Sequence, residues 1–284
     1  MIRGMGWLAR LSLHYTHEHR NGVAHTGAHD SHEGPLRVLQ RLYPEGPGIC
    51  HHVLVHPPGG VVGGDELHLD ARLDAGAHAL ITTPGATRFY RSEGAPALQH
   101  TRLQLAEGAR LEWLPMETIA YSGCLAANHV TAELAPGAEM MGWDVLALGL
   151  PAAAQPFEAG VFTQRLEMPG QWLERGRVAA DDHTLLQGPV GWAGHTVSAT
   201  LWFAAGAALP AARRTALVDG ARDLLQGHAL ARTAGATAPQ PGVVLLRVLA
   251  GRVEPAMQLL AAVRAAWRER AWGLAAEPPR IWRT

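Results

Sequence analysis

Three acidic residues stand where a carboxylate could do chemistry away from bulk solvent. Asp65 follows a glycine pair, Asp144 follows a tryptophan, and Glu174 precedes an arginine. A pair of carboxylates can cleave glycosides, and isolated carboxylates can hold or pass a cation. The competing interpretation is structural: such acids cap turns or pair with arginine, as Glu174 could with Arg175 or Arg177. The residues alone leave both interpretations open.

Histidines are concentrated near the N-terminus and raise the question of a metal site. The group consists of His14, His17, His19, His25, His29 and His32, with Asp30 and Glu33 nearby. Imidazole and carboxylate suit nickel or zinc, yet the spacing is not that of a structural zinc site. We predict a polar link between two edge strands, solvated and binding metal without specificity. His51, His52 and His56, beside Cys50, are predicted to pack or hydrogen-bond near a strand turn.

The segment HPPGGVVGGD, from His56 to Asp65, has the glycines of a phosphate-binding loop but not its other requirements. Such a loop leads into a helix and usually carries a lysine. Here the strand-like segment ELHLDARL follows, and all 24 basic residues are arginine. Glycine and proline at this density instead specify tight turns and close backbone approach. The chain also has no G-x-S-x-G motif, so a hydrolase triad lacks support.

Composition excludes several classes of function. The net charge is −1, which gives no electrostatic footprint for nucleic acid or an anionic membrane. Two cysteines, Cys50 and Cys124, are too few for a secreted disulfide scaffold. No apolar run approaches the roughly 20 residues that cross a bilayer, and the start does not match a signal peptide. We therefore expect a cytoplasmic protein with one domain over residues 1–284, binding neither nucleic acid nor membrane.

The elements that must position these residues are predicted to be mostly strands. The pattern L-x-x-G-A recurs at residues 73–77, 105–109 and 134–138, each time between two alternating apolar stretches. A glycine link between such stretches predicts a hairpin or a corner, and a repeat about every 30 residues is typical of stacked units. We predict an all-β-dominated fold of stacked strands, β-helix-like with two sheets, in preference to a plain antiparallel sandwich.

Helices are predicted only towards the C-terminus, and there are about two of them. Residues 210–226 begin with proline and have apolar spacing near 3.6, and residues 255–272 form an amphipathic pattern. Strands are predicted at residues 196–205 and 242–251, and further strands and turns between residues 160 and 191. The two helices should therefore pack on an otherwise β-rich fold.

Several blocks of sequence occur together in an order that is specific to one family. They are GPLRV from Gly34, LYPEG from Leu42, HPPGGVVGGD from His56, TTPGATRFYRS from Thr82, WLPMETIAYSG from Trp113, GWDVLALG from Gly142 and WGL…PPRIWRT from Trp272. In these blocks the chain resembles the urease accessory protein D family (UreD, called UreH in some organisms) over nearly its full length. It departs from the family pattern at Met116, where glutamine is usual, and at Leu150, where a charged residue is frequent.

The resemblance implies a scaffold for urease maturation and not an enzyme. It implies a β-rich, helix-like stack of strands that binds urease apoprotein together with accessory proteins F and G, the latter a GTPase. It further implies that Ni²⁺ passes through the protein to the dinuclear nickel centre, with no cofactor permanently bound. Carried over by motif, the residues of this transient nickel path are Asp65, Thr87, Asp144 and Glu174. A buried path needs scattered oxygen ligands that lower the cost of desolvation and still release the ion.

Two alternatives belong to other classes of protein. Stacked repeats also suit a β-helical polysaccharide-active enzyme, which would need an open groove lined by acids, arginines and stacked aromatics. The histidine-rich start suits a nickel or zinc storage protein, whose metal binding would vanish when residues 14–32 are removed. Trp267, Trp272 and Trp282 are predicted to lie in the core, with partner contact as the alternative.

Overall fold

The computed structural model describes residues 6–275 and 277–283, so Thr284 of the closing block lies outside the described residues. The strands are β1 (Leu8–Arg20), β2 (Val23–Glu33), β3 (Arg37–Leu42), β4 (Cys50–Val55), β5 (Glu66–Leu73), β6 (His78–Thr82), β7 (Thr87–Phe89), β8 (Ala97–Leu105), β9 (Arg110–Leu114), β10 (Thr118–Ala120), β11 (Cys124–Leu134), β12 (Glu139–Leu148), β13 (Gly160–Met168), β14 (Trp172–Ala179), β15 (Val197–Ala205), β16 (Ala234–Gln240) and β17 (Val243–Ala250). The helices are α1 (His183–Gln187), α2 (Ala211–Leu225) and α3 (Val253–Trp272). At 49% strand and 17% helix, the predicted β-dominated fold is confirmed.

The three L-x-x-G-A repeats form the corners where the chain crosses from one sheet to the other. Their glycines, Gly76, Gly108 and Gly137, have φ of 76°, 68° and 82°, a region that strains any residue with a Cβ. In the first repeat the Ala77 amide donates to the Asp74 carbonyl at 3.0 Å, and the other two repeats make the equivalent bond. The corners join β5 to β6, β8 to β9 and β11 to β12. The predicted link is therefore a corner and not a hairpin.

Stacking of these corners produces two sheets with parallel centres. The first sheet has the order β14-β13-β11-β8-β5-β1-β2, and the second has the order β16-β17-β15-β12-β9-β6-β4-β3. Strands β1, β5, β8, β11 and β13 are parallel neighbours, and so are β4, β6, β9 and β12. The flanking pairs β1–β2, β13–β14, β3–β4 and β12–β15 are antiparallel. The centre is a β-solenoid, as predicted, with antiparallel strands at its ends.

Two hydrophobic cores lie on either side of the second sheet. Leu69, Leu103 and other inward residues fill the space between the two sheets. On the opposite face, Trp143 packs with Trp267 and Trp272 of α3, so the second core joins the sheet to the helices. Trp267 and Trp272 are 0% and 8% exposed, which confirms the core prediction for both. Trp282 is half-buried against the same core.

The two predicted helices are confirmed, and one short helix is additional. Helix α2 follows Pro210, whose fixed φ suits a helix start, and α3 ends at Gly273 with φ 65°. Helix α1 lies in a stretch predicted to hold only strands and turns. Its first turn is capped by Asp182, which accepts a hydrogen bond from the Leu185 amide at 2.9 Å. In the described part of the chain, no helix is long and apolar enough to span a membrane.

The histidine-rich segment is a hairpin, and the predicted polar link between edge strands is wrong. Strands β1 and β2 pair without interruption from Arg10↔Glu33 to Arg20↔Val23. The turn is Asn21-Gly22, with φ of 52° and 76°, the dipeptide that two-residue hairpins prefer. The histidines therefore lie on both faces of regular strands: His14 and its partner His29 are on the outward face, whereas His17 and His19 share the parity of the buried Tyr15.

Candidate functional site

A row of amide side chains crosses the first sheet on its inward face. Gln99 on β8 is the register partner of Asn128 on β11, which in turn is the partner of Gln164 on β13. The Gln99 Nε2 donates to the Asn128 Oδ1 at 3.4 Å. Neighbouring inward positions on the same strands, such as Leu103 and Val130, are apolar and buried. The row is therefore a polar layer inside an apolar interior.

The second sheet places a complementary polar row opposite this one. Asp144 on β12 is in register with Thr200 on β15, and Thr200 is in register with Arg247 on β17. The Asp144 carboxylate accepts a hydrogen bond from the Gln164 side chain, which connects the two sheets. Polar groups buried in an apolar interior are costly unless they are bonded to one another. The Gln99–Asn128 and Gln164–Asp144 hydrogen bonds satisfy part of this layer, and strand register aligns its other members.

Asp144 has the most perturbed carboxyl group of this layer. Burial raises its pKa from 3.8 to about 7, the hydrogen bond from Gln164 opposes the rise, and the charge of Glu174 adds to it. At neutral pH the carboxyl therefore exchanges its proton readily. A carboxyl of this kind, which accepts from the Gln164 amide nitrogen, offers oxygen ligands that suit a divalent cation without forming a closed cage.

Glu174 lies at the end of the layer and is held by a partner that the sequence did not reveal. Arg247 Nη2 donates to Glu174 Oε2 at 2.5 Å, so the predicted pairing with Arg175 or Arg177 is wrong. Burial raises the pKa of Glu174, while the Arg247 charge and hydrogen bond lower it. Strand pairing thus brings two acids that are 30 positions apart in the printed sequence into electrostatic contact.

A cavity of about 300 Å³ opens at the other end of the layer. Its wall combines the two glycine-rich segments with both sheets, through His56, Gly60, Thr87, Arg88, Gln99, Thr101 and Trp113. The approach is close at Gly60, where an added Cβ would lie 2.1 Å from the Tyr90 ring. The Thr101 hydroxyl is buried and has no hydrogen-bond partner among the described residues. The cavity therefore presents one unsatisfied hydroxyl beside Gln99, the first member of the amide row.

Asp65 anchors the backbone beside this cavity. One carboxylate oxygen accepts from the Trp7 amide at 2.8 Å, and the other accepts from the Val62 amide at 3.0 Å. Both oxygens are thus engaged by the main chain, and the residue is 6% exposed. Of the four predicted residues, Thr87 lies on the cavity wall, and Asp144 interacts electrostatically with Glu174. Asp65 lies instead in the turn that follows Val61. For Asp65 this geometry matches the turn-capping interpretation.

The remaining histidine groups have partners of other kinds. His51 Nε2 lies 2.8 Å from Glu45, and His52 Nδ1 lies 2.7 Å from the Tyr15 hydroxyl, which confirms that these residues pack and hydrogen-bond. In the hairpin, the rings of His17 and His19 are 5.0 Å apart. Among residues 6–275 and 277–283, no three His, Cys, Asp or Glu side chains are already arranged around one metal position.

Gln99, Asn128 and Gln164 are site residues that the sequence analysis missed. Each occupies an inward position of an alternating strand, where its neighbours two residues away are mainly apolar and buried. An uncharged amide at such a position is the signal that could have identified them, since an unbonded buried amide is unfavourable. The three amides were missed because only charged residues were considered as ligands.

Comparison with known proteins assigns the family. The profile described as UreD urease accessory protein matches residues 8–283. A protein of Leptothrix cholodnii named urease accessory protein UreD is 61% identical over 99% of this chain and 100% of its own length. Relatives of the same name from Verminephrobacter eiseniae and Variovorax paradoxus are 61% and 58% identical, covering 98% and 99% of this chain and 99% and 100% of their own lengths. The chain therefore belongs to the UreD family of urease accessory proteins.

Proposed function

We propose that this chain is a urease maturation factor that passes Ni²⁺ along the polar layer between its two sheets. It would do so while bound to urease apoprotein and to accessory proteins F and G. The observation that carries the proposal is the inward polar row that runs from the cavity through Gln99, Asn128 and Gln164 to Asp144, aligned by strand register and bonded at each end. The names of the relatives and the family resemblance support the urease context. Nickel is the cargo in this proposal, and no metal is resident.

The chemistry of the layer favours passage over storage. Amide and hydroxyl oxygens replace part of the hydration shell of a cation without adding charge, so they bind it weakly. Asp144, with its pKa of about 7, can give up its proton as the cation arrives and recover it when the cation leaves. At Glu174 the cation must compete with Arg247, which keeps affinity low where the ion is to be released.

The four predicted residues take different parts in this proposal. Thr87 contributes a hydroxyl at the cavity, and Asp144 and Glu174 contribute carboxylates inside. Asp65 acts indirectly, because it fixes the turn that carries Val61 into the cavity wall. None of these roles is a catalytic step, so we propose that the chain is not an enzyme.

A polysaccharide-active enzyme is supported less well by the same geometry. The two acids that interact, Asp144 and Glu174, lie between the sheets, and Asp144 is only 8% exposed. A polysaccharide chain needs an open groove at its paired carboxylates.

The storage alternative is tested through the hairpin: replacing His17 and His19 by Asn preserves the fold better than removing residues 14–32, because β1 is paired with β5.

Reconstituted urease activation tests the proposal. Asp144→Asn and Glu174→Gln are expected to lower the nickel content and activity of urease by at least about tenfold, since each removes a negative ligand from a low-dielectric path. Asp219→Asn, the same change on the exposed face of α2, is the control and should activate normally. Pull-down of urease and proteins F and G separates transport from assembly. Normal activation by an Asp144→Asn/Glu174→Gln double variant would reject the route.

A further inference from the structure

Three histidines form a ladder on the outward face of the first sheet, opposite to the polar layer. His68 on β5 is in register with His100 on β8, and His100 is in register with His129 on β11. The three strands are consecutive coils of the solenoid, so the imidazoles lie side by side across the sheet. All three are half-buried and line one surface depression together with Asp70 and Thr131.

The spacing of the ladder suits shared coordination. The ring centroids of His68 and His100 are 5.3 Å apart, and those of His100 and His129 are 5.0 Å apart. Two imidazoles that bind one ion at about 2.0–2.1 Å per Zn–N bond have ring centroids about 5 Å apart. The first pair is stacked and the second is edge-to-face. Both centroid distances therefore match those of two imidazoles that share one ion.

The charges around the ladder also favour a cation. Glu66 Oε2 is 3.3 Å from His68 Nε2 and supplies negative charge at one end. The nearby arginines are already paired: Arg102 with Glu133, and Arg165 with Glu167. Burial, and then the charge of His68, lower the pKa of His100, and Glu66 opposes this shift. Burial, then the charges of His100 and Arg165, lower the pKa of His129. Neutral imidazoles keep the lone pair that a metal needs.

We propose that the His68–His100–His129 ladder binds one borderline divalent cation, of the class of Ni²⁺ and Zn²⁺, between two neighbouring imidazoles, with water completing the coordination. His100 belongs to both pairs, so the ladder holds one ion at a time, and the ion can occupy either of two neighbouring positions. Imidazole prefers such cations to Mg²⁺ or Ca²⁺. This site is independent of the proposed nickel route, because the sheet separates the ladder from the inward amide row.

Calorimetric titration of the tag-free, metal-free chain with Ni²⁺ or Zn²⁺ near pH 7.5 tests the ladder. His100→Asn is expected to weaken the tightest binding step at least tenfold, because it destroys both pairs. His68→Asn and His129→Asn, which each leave one pair, should weaken it only a few-fold. His17→Asn/His19→Asn and His183→Asn are controls for hairpin and surface histidines and should leave this step unchanged.

Unchanged binding by His100→Asn, with circular dichroism equal to that of the wild type, would overturn the proposal. Loss of the step only in the hairpin variant would also overturn it. Asp144→Asn should retain the step, so the ladder and the nickel route are tested separately. Near pH 5.5, protonation of the imidazoles should weaken the tightest metal-binding step of the wild type. Its affinity should then differ little from that of His100→Asn.

Discussion

The carboxyl of Asp144 gives the protein a stability term that depends on pH. In the unfolded chain this group titrates near 3.8, and in the folded protein its pKa is about 7 because of burial. The folded state therefore keeps a proton over a range in which the unfolded chain has lost it. The contribution is complete below about pH 4 and is lost as pH rises through about 7.

Asp144→Asn removes this dependence and should appear increasingly stable, relative to the wild type, as pH rises. Between about pH 4 and pH 8 the difference in free energy of unfolding should grow by on the order of a few kcal/mol. The reason is that asparagine has no charge to bury, whereas aspartate must ionise inside the protein. Urea unfolding at several pH values measures the difference. A difference that does not change with pH would contradict the assigned pKa.

Glu112 binds two arginines in a buried ion cluster. Arg264 Nε donates to its Oε2 at 2.6 Å, and Arg268 Nε lies 3.0 Å from its Oε1. All three residues are at most 1% exposed. Glu112→Gln leaves the buried guanidinium of Arg264 without a counter-charge, while Arg268 keeps the Glu45 carboxylate at 2.6 Å. The change should lower the free energy of unfolding by about 3–5 kcal/mol.

The matched control for Glu112 is a surface pair. Glu133→Gln removes the partner of Arg102, and both side chains of that pair are largely solvated. Its cost should stay below about 1 kcal/mol because water screens the interaction. Denaturant unfolding of the two variants compares them directly. Equal losses would show that the buried cluster contributes no more than a surface ion pair.

At the scale of elements, the corner glycines are where backbone conformation limits the sequence. Gly108 has φ 68°, and an added Cβ would meet only the Gly76 nitrogen at 3.9 Å. Gly108→Ala should therefore cost about 1–2 kcal/mol through backbone strain alone. Gly176→Ala, on β14 with open space around it, should change stability by less than about 0.5 kcal/mol. Urea unfolding of both variants checks this, and equal effects would refute the strain argument.

Local patterns predicted the elements that local chemistry determines. The repeated L-x-x-G-A corners, the strand at β15 and both C-terminal helices follow from turn residues, alternation and helical spacing. The start of β1 was predicted as an edge strand, but its continuation to Arg20 and its pairing with β2 were missed although Asn21-Gly22 is a hairpin dipeptide. The polar, histidine-rich composition of residues 16–33 favoured a link instead. Helix α1 has only 5 residues, too short for a periodic signal.

The candidate site was predictable only in part, for a physical reason. Motifs identified Asp144 and Glu174 as individual acids, but their coupling depends on β12, β14 and β17 meeting across the interior. Arg247 is far from Glu174 in the chain, and strand pairing alone brings it near. Non-local pairing of this kind leaves no periodic pattern in a single sequence. The inward amides can be recognised from the sequence, because each interrupts the apolar positions of an alternating strand.

At the scale of the whole molecule, the second sheet belongs to both cores. One face packs on the first sheet and the other on α2 and α3. Loss of either layer therefore exposes apolar surface on strands that the other layer needs. The single domain over residues 1–284 stays a prediction, and this sharing leads to an expectation about cooperativity.

Hydrogen exchange of the native protein tests that expectation. The most protected amides of α3 and of β8 should exchange through the same global opening, with free energies that agree within about 1 kcal/mol. Denaturant should lower both in parallel. Exchange of α3 at least tenfold faster than that of β8 would show that the helical layer unfolds by itself, and would divide the chain into two cooperative units.

Antiparallel strands at both ends of the parallel stack fix how far the interior row can extend. From Gln99 on β8 to Gln164 on β13 the row spans two strand spacings, which is about 10 Å. Duplication of a coil could not lengthen it unless β1–β2 or β13–β14 were first displaced. If Ni²⁺ follows this row as proposed, any longer path would have to continue along the surface of a bound partner protein, so the alignment of the two proteins would matter as much as the lining.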